Sequence, residues 1–162
     1  MKISDAGLNF IKRFEALFLQ AYDDATDRIV KPGDRIHGTL TIGYGHTSQA
    51  GPPRVYAGMV LKDEAAADDL LLADLAPVES AVARLVKVDI TQNQFDALTS
   101  FQFNTNWLTH PHCSLLDALN AGNYKLADED FMLYDRANGV ELVGLDRRRA
   151  AEKAMFDGST NA

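Results

Sequence analysis

Strand-forming sequence in this chain is confined to one window. Between Arg28 and Tyr44, short β-prone runs (Ile29-Val30 and Leu40-Thr41-Ile42) are separated by Pro32-Gly33-Asp34 and Gly38, a pattern that predicts a small antiparallel sheet. The flanks read as helix or loop. Ser4 followed by Leu8, Ile11, Phe14, Leu17 and Phe18 gives a start signal and an apolar stripe of helical period. A helix is expected from about residue 4 to 13 or slightly beyond, with Glu15 at or just past its end. Thr47 to Met59 has loop composition, and Lys62 to Lys87, rich in Ala, Leu, Asp and Glu, predicts helix divided by Pro77. Thr91 caps QNQFDALTSFQF, CSLLDALNAG ends at Gly122, and YKLADEDFMLY and LDRRRAAEKAMF complete a helical second half.

The expected architecture is α+β, one domain without internal repeats. Residues 1–60 form a small lobe carrying the sheet, 61–86 a connecting helical segment and 87–162 a helical lobe, with a cleft between the lobes as the favoured ligand site. Disorder is expected only at the tail, Gly158 to Ala162.

Sixteen basic and 23 acidic residues leave a formal charge of -7, which disfavours nonspecific attraction to nucleic acid or an anionic membrane. Arg147, Arg148 and Arg149 are the one basic cluster, and ion pairs within their own lobe explain them better than ligand contact. A single cysteine, Cys113, rules out an intrachain disulfide and reads as a small core residue. The N-terminal stretch shows no apolar signal region, and no window approaches the roughly 18 apolar residues of a membrane span.

Glu15 lies among Phe14, Leu17, Phe18 and Leu19. If shielded from water it would hold its proton near neutral pH and serve as a donor; otherwise it is a solvated helix-end residue. Asp23 and Asp24 follow Tyr22, and one protonated acid facing one ionised carboxylate is the equipment of glycoside hydrolysis. TIGYGHT places Gly43 and Gly45 around Tyr44 for a tight turn, and it lacks the third glycine and helix start of a phosphate loop. His46 reads as a structural hydrogen-bonding residue. His110, His112 and Cys113 have ligand chemistry but no fourth clustered partner, so no metal is expected.

Taken in order, FEALFLQAYDD, LTIGYGHT, LTSFQFNTN and GLDRRRAAEKAMF resemble the phage-type lysozymes, or endolysins, of glycoside hydrolase family 24, over nearly the whole chain. The resemblance implies a lysozyme-like fold and hydrolysis of the β-1,4 bond between N-acetylmuramic acid and N-acetylglucosamine in bacterial peptidoglycan. It makes Glu15 the general acid, with Asp24 and Thr41 holding a water or stabilising the transition state. Inversion, as is usual for such enzymes, needs roughly 6.5 to 9.5 Å between the two carboxyl groups. Tyr22, His37, Tyr44 and Asn104 are the candidate substrate contacts, although NTNW departs from the more common Asn-Val-Gly in its block. Gln94, Phe95, Leu98, Phe101, Phe103 and Asn104 become a core helix with a polar end.

The departure that matters is length: sixteen residues, ATDRIVKPGDRIHGTL, separate Asp24 from Thr41 where many relatives have only a few, with a glycine among them. Asp23 is therefore a rival to Asp24, and Thr26 and Thr39 are rivals to Thr41. The resemblance further implies a monomer without cofactor, without nucleic acid and without stable membrane association. It would accumulate in the cytoplasm of the producing host and depend on a separate holin-like protein for release. A lytic transglycosylase or a non-catalytic wall-binding protein are the alternatives.

Overall fold

Ser4 starts the first helix, α1 (Asp5–Phe14), by accepting the Gly7 N–H at 3.1 Å through its hydroxyl, which itself donates to Asp96. The computed structural model describes residues 1–137 and 140–159. Within them, two compact units divide the chain: residues 12–76, and residues 1–11 together with 77–162.

In the unit of residues 12–76, four antiparallel strands pair in the order β2-β1-β3-β4: β1 (Phe18–Asp23), β2 (Arg28–Ile29), β3 (Leu40–Gly43) and β4 (His46–Thr47). The expected sheet is present, but its central strand begins ten residues earlier, at Phe18 rather than Arg28. Leu17 and Phe18 continue the apolar stripe of α1, so local pattern prolongs the helix; the ladder partners Arg28, Ile29, Leu40, Thr41 and Gly43 decide for strand. Ala21, Ile42, Val55 and Leu70 form the core of this unit, with Leu40, Met59 and Leu61 packed against them.

Helix α2 (Glu64–Leu85) runs through Pro77 without interruption, contrary to the expected division. A proline interior to a helix costs about 3 kcal/mol through its lost hydrogen bond and ring clash. Burial of Ala67, Leu70, Leu71, Leu75 and Val82 along the same helix offsets that cost.

The helical unit contains α3 (Gln92–Thr105), α4 (Ser114–Asn120), α5 (Tyr124–Asp130) and α6 (Val143–Phe156). Thr91 caps α3 as expected, in a reciprocal box with Gln94, and Asn106 closes the helix in the left-handed conformation (φ 57°). After Tyr134 the expected helical run yields to a two-stranded ribbon, β5 (Arg136–Ala137) and β6 (Val140–Glu141). Two-residue strands are too short to leave a period in the sequence. Phe95, Leu98, Phe101, Leu115, Leu119, Phe131 and Met155 are buried, and α3 packs on α6. Gly158 and Ser159 remain hydrogen-bonded to the end of α6, whereas residues 160–162 of the expected disordered tail lie outside the described residues.

Candidate active site

Helix α1 ends at Phe14, and Glu15 occupies the bend before β1, half-buried. At the far end of β1 the two neighbouring carboxylates separate. Asp23 is only 2% exposed, and its carboxylate accepts N–H bonds from His37 (2.7 Å), Gly38 (2.8 Å) and Ala25 (3.1 Å). The His37 bond is the largest influence holding its pKa below the ordinary Asp range, against the upward pull of burial. Asp24 faces solvent. Its Oδ1 accepts the Thr39 N–H at 2.6 Å, and its own N–H donates to the Thr39 carbonyl at 3.2 Å.

Thr41 is 4% exposed and donates its hydroxyl to the same Thr39 carbonyl at 3.2 Å. Across the ladder from Thr41 stands Tyr22, half-buried and stacked on Phe18 with ring centroids 4.0 Å apart. Burial pushes the Tyr22 phenol up in pKa, and the negative fields of Asp27, Asp24 and Glu15 push it further. Glu15 thus precedes β1, Asp24 follows it, and Thr41 pairs with Tyr22 across the ladder. Of the rivals, Thr26 is exposed in the turn after Asp23, and Thr39 acts through its backbone.

The remaining candidates fall elsewhere. His37 is exposed and lines a cavity of about 250 Å³ with Asp23, Arg28, Asp34 and Arg35. Tyr44 is 5% exposed, and its hydroxyl donates to Glu64 at 3.1 Å while Lys12 Nζ lies 5.3 Å from its ring centroid. Hydrogen bonds to Asp68 and Glu64 hold the Lys12 ammonium above its usual range. Asn104 belongs to the helical unit, where it accepts Arg149 Nη2 at 2.8 Å and lines a separate cavity of about 600 Å³ beside Trp107 and Tyr134.

Arg148 and Arg149 are buried and pair with Glu152 at 3.2 and 2.8 Å, the intralobe ion pairs expected of the basic cluster, while Arg147 is exposed. His46 is also structural: 1% exposed, it sets Nδ1 against Asp74 at 2.8 Å and Nε2 against the Pro53 carbonyl at 2.9 Å. Cys113 is buried and accepts a hydrogen bond from the Tyr134 hydroxyl. Among the described residues, no three His, Cys, Asp or Glu side chains gather as a metal site.

Sequence reasoning missed the part played by residues 37–39. In the sequence Thr39 offers a hydroxyl and Gly38 a break between strands; in the structure both contribute through their backbone. The one available signal is Gly38 standing two residues ahead of the strand that opens with Leu40.

The α+β arrangement around this site is the lysozyme-like fold: a crystal structure of a P22 lysozyme variant matches with a TM-score of 0.80 at 35% identity, covering 96% of this chain and 98% of that one. A sequence profile described as Phage lysozyme matches residues 12–152, and the chain belongs to that family. It is 38% identical over 161 residues to the endolysin of Acyrthosiphon pisum secondary endosymbiont phage 1, covering 97% of this chain and 99% of the relative. It is also 38% identical over 160 residues to the endolysin of Bacillus phage PZA, covering 99% of this chain while spanning 57% of that protein's length.

Proposed function

We propose that this chain is a muramidase of the endolysin type, hydrolysing the β-1,4 bond between N-acetylmuramic acid and N-acetylglucosamine in bacterial peptidoglycan. The observation that carries the reading is membership of the phage lysozyme family, in a chain where Glu15 precedes and Asp24 follows strand β1 and Thr41 pairs with Tyr22 on that strand.

In this mechanism the Glu15 carboxylic acid gives its proton to the glycosidic oxygen as the bond to the anomeric carbon breaks. A water held by Asp24 and the Thr41 hydroxyl attacks that carbon from the opposite face and passes its proton to Asp24. One water is consumed, one reducing end appears, and the configuration inverts. Tyr22 and His37 are proposed sugar contacts. Tyr44, whose hydroxyl donates to Glu64, and Asn104, which accepts from Arg149, are proposed as further sugar contacts.

The protein acts as a monomer without cofactor. It accumulates in the producing cell and reaches the wall through a separate holin-like protein, a route compatible with the lack, among the described residues, of any helix long and apolar enough to cross a membrane.

Product analysis on purified peptidoglycan tests the assignment. Wild type should release hydrolysed reducing ends, first formed as the α-anomer by NMR. Glu15→Gln should lose at least about 100-fold in rate, the scale of a general acid, while keeping its melting temperature. Anhydro-muramic ends would replace hydrolysis with transglycosylation, and binding to sacculi without any product would make the chain a wall-binding protein.

A further inference from the structure

We propose that the long segment between Asp24 and Thr41 is an orienting clamp for the Asp24 carboxylate, in which Asp23 and Gly38 are positioning residues. The inference rests on the water-holding role of Asp24 and goes beyond it by saying what aims that group. A solvent-facing aspartate on a turn ordinarily samples several rotamers, and holding one of them is the kind of ordering that catalysis needs in advance.

Three links supply the order. Asp23, buried, gathers the N–H groups of His37, Gly38 and Ala25 on one carboxylate, which pins the returning strand to the turn. The pinned chain presents the next N–H, that of Thr39, to Asp24 Oδ1 at 2.6 Å. The Thr39 carbonyl then accepts both the Asp24 N–H and the Thr41 hydroxyl, each at 3.2 Å, so one residue's backbone spaces the two groups that would share the water. Among the described residues Asp24 Oδ2 accepts no hydrogen bond, which leaves it as the oxygen for that water.

Gly38 is what lets the clamp close. A Cβ there would stand 2.0 Å from Asp24 Oδ1 and 2.8 Å from Ala25 Cβ and N. A side chain there requires the Asp24 carboxylate to leave the Thr39 N–H or the backbones of residues 25 and 38 to part.

Reducing-end release from purified peptidoglycan, with a thermal melt of every protein, is compared for wild type, Gly38→Ala, Asp23→Asn, Asp24→Asn and Gly38→Ala/Asp24→Asn. Gly38→Ala should fold, lower kcat about 100-fold, the scale of a misplaced group, and leave KM within about twofold. Asp23→Asn should lower kcat in the same sense. In the Asp24→Asn background, Gly38→Ala should cost nothing more, because the group it displaces is already gone.

Wild-type kcat in Gly38→Ala, or an undiminished further loss in the double variant, overturns the clamp while leaving Asp24 in its role. Full activity in Asp24→Asn overturns the role itself. Should the variants fail to fold, amide exchange in the unsubstituted chain decides: the His37, Gly38 and Thr39 N–H groups should be protected, and exchange at free-amide rates overturns the clamp.

Discussion

Asp23 and Asp24 are adjacent in the chain, yet they meet opposite environments. Asp23 is enclosed by three backbone donors, whereas Asp24 reaches solvent and borrows a single N–H from Thr39. Because the folded pKa of Asp23 is lowered, the unfolded chain binds its proton more readily than the native one. Its contribution to stability is therefore full above about pH 4, the ordinary Asp value, and is lost as pH falls through the lower folded value. The melting temperature of Asp23→Asn should lie furthest below wild type near neutrality, with the gap narrowing below about pH 4; a constant gap across a pH series of melts would contradict this. The pair also marks a boundary of what spacing can reveal. Both carboxylates were candidates from the sequence, and only the partners on residues 37–39, brought back by the hairpin, separate a structural carboxylate from a solvent-facing one.

The legible elements are those whose signals are local. The capping box of α3 is written in Thr91 and Gln94, three positions apart, and both of its hydrogen bonds form: the Gln94 N–H to the Thr91 hydroxyl at 3.3 Å and the Thr91 N–H to the Gln94 side chain at 2.9 Å. Thr91→Ala should lower unfolding free energy by about 1 kcal/mol in denaturant titration, the usual cost of losing such a cap; an unchanged midpoint would mean α3 is held by its packing alone. Strand β1 and the continuity of α2 were not legible for the opposite reason. Phe18 to Tyr22 suits helix or strand equally by pattern, and the pairing of Tyr22 with Ile29 and Thr41 is a contact at a distance. Pro77 is unfavourable locally, and buried neighbours on both sides along α2 outweigh it.

At the scale of the molecule, each compact unit has its own centre: an aliphatic cluster around Ile42 in residues 12–76, and in the helical unit a core with Phe95, Phe101 and Phe131, where Arg148, Arg149 and Glu152 are also buried and Arg149 lies over the Phe101 ring. The net charge of -7 belongs to the whole chain. If the substrate is the anionic bacterial wall, long-range repulsion opposes encounter, and salt relieves it by shortening the Debye length from about 30 Å at 0.01 M to about 10 Å at 0.1 M. The initial clearing rate of purified walls should therefore rise over that interval, and a monotonic fall would point to a local basic surface that dominates the approach. By itself the sequence determined the α+β class, the helix caps, the family and the set of groups able to do chemistry, because each is encoded in residue type and short spacing. Tertiary structure alone decided which aspartate is enclosed, that Tyr22 faces Thr41, and that the backbone of Thr39 spans the site. Those outcomes depend on N–H and C=O groups that every residue carries, so no residue name announces them until the chain folds back and brings them within hydrogen-bonding distance.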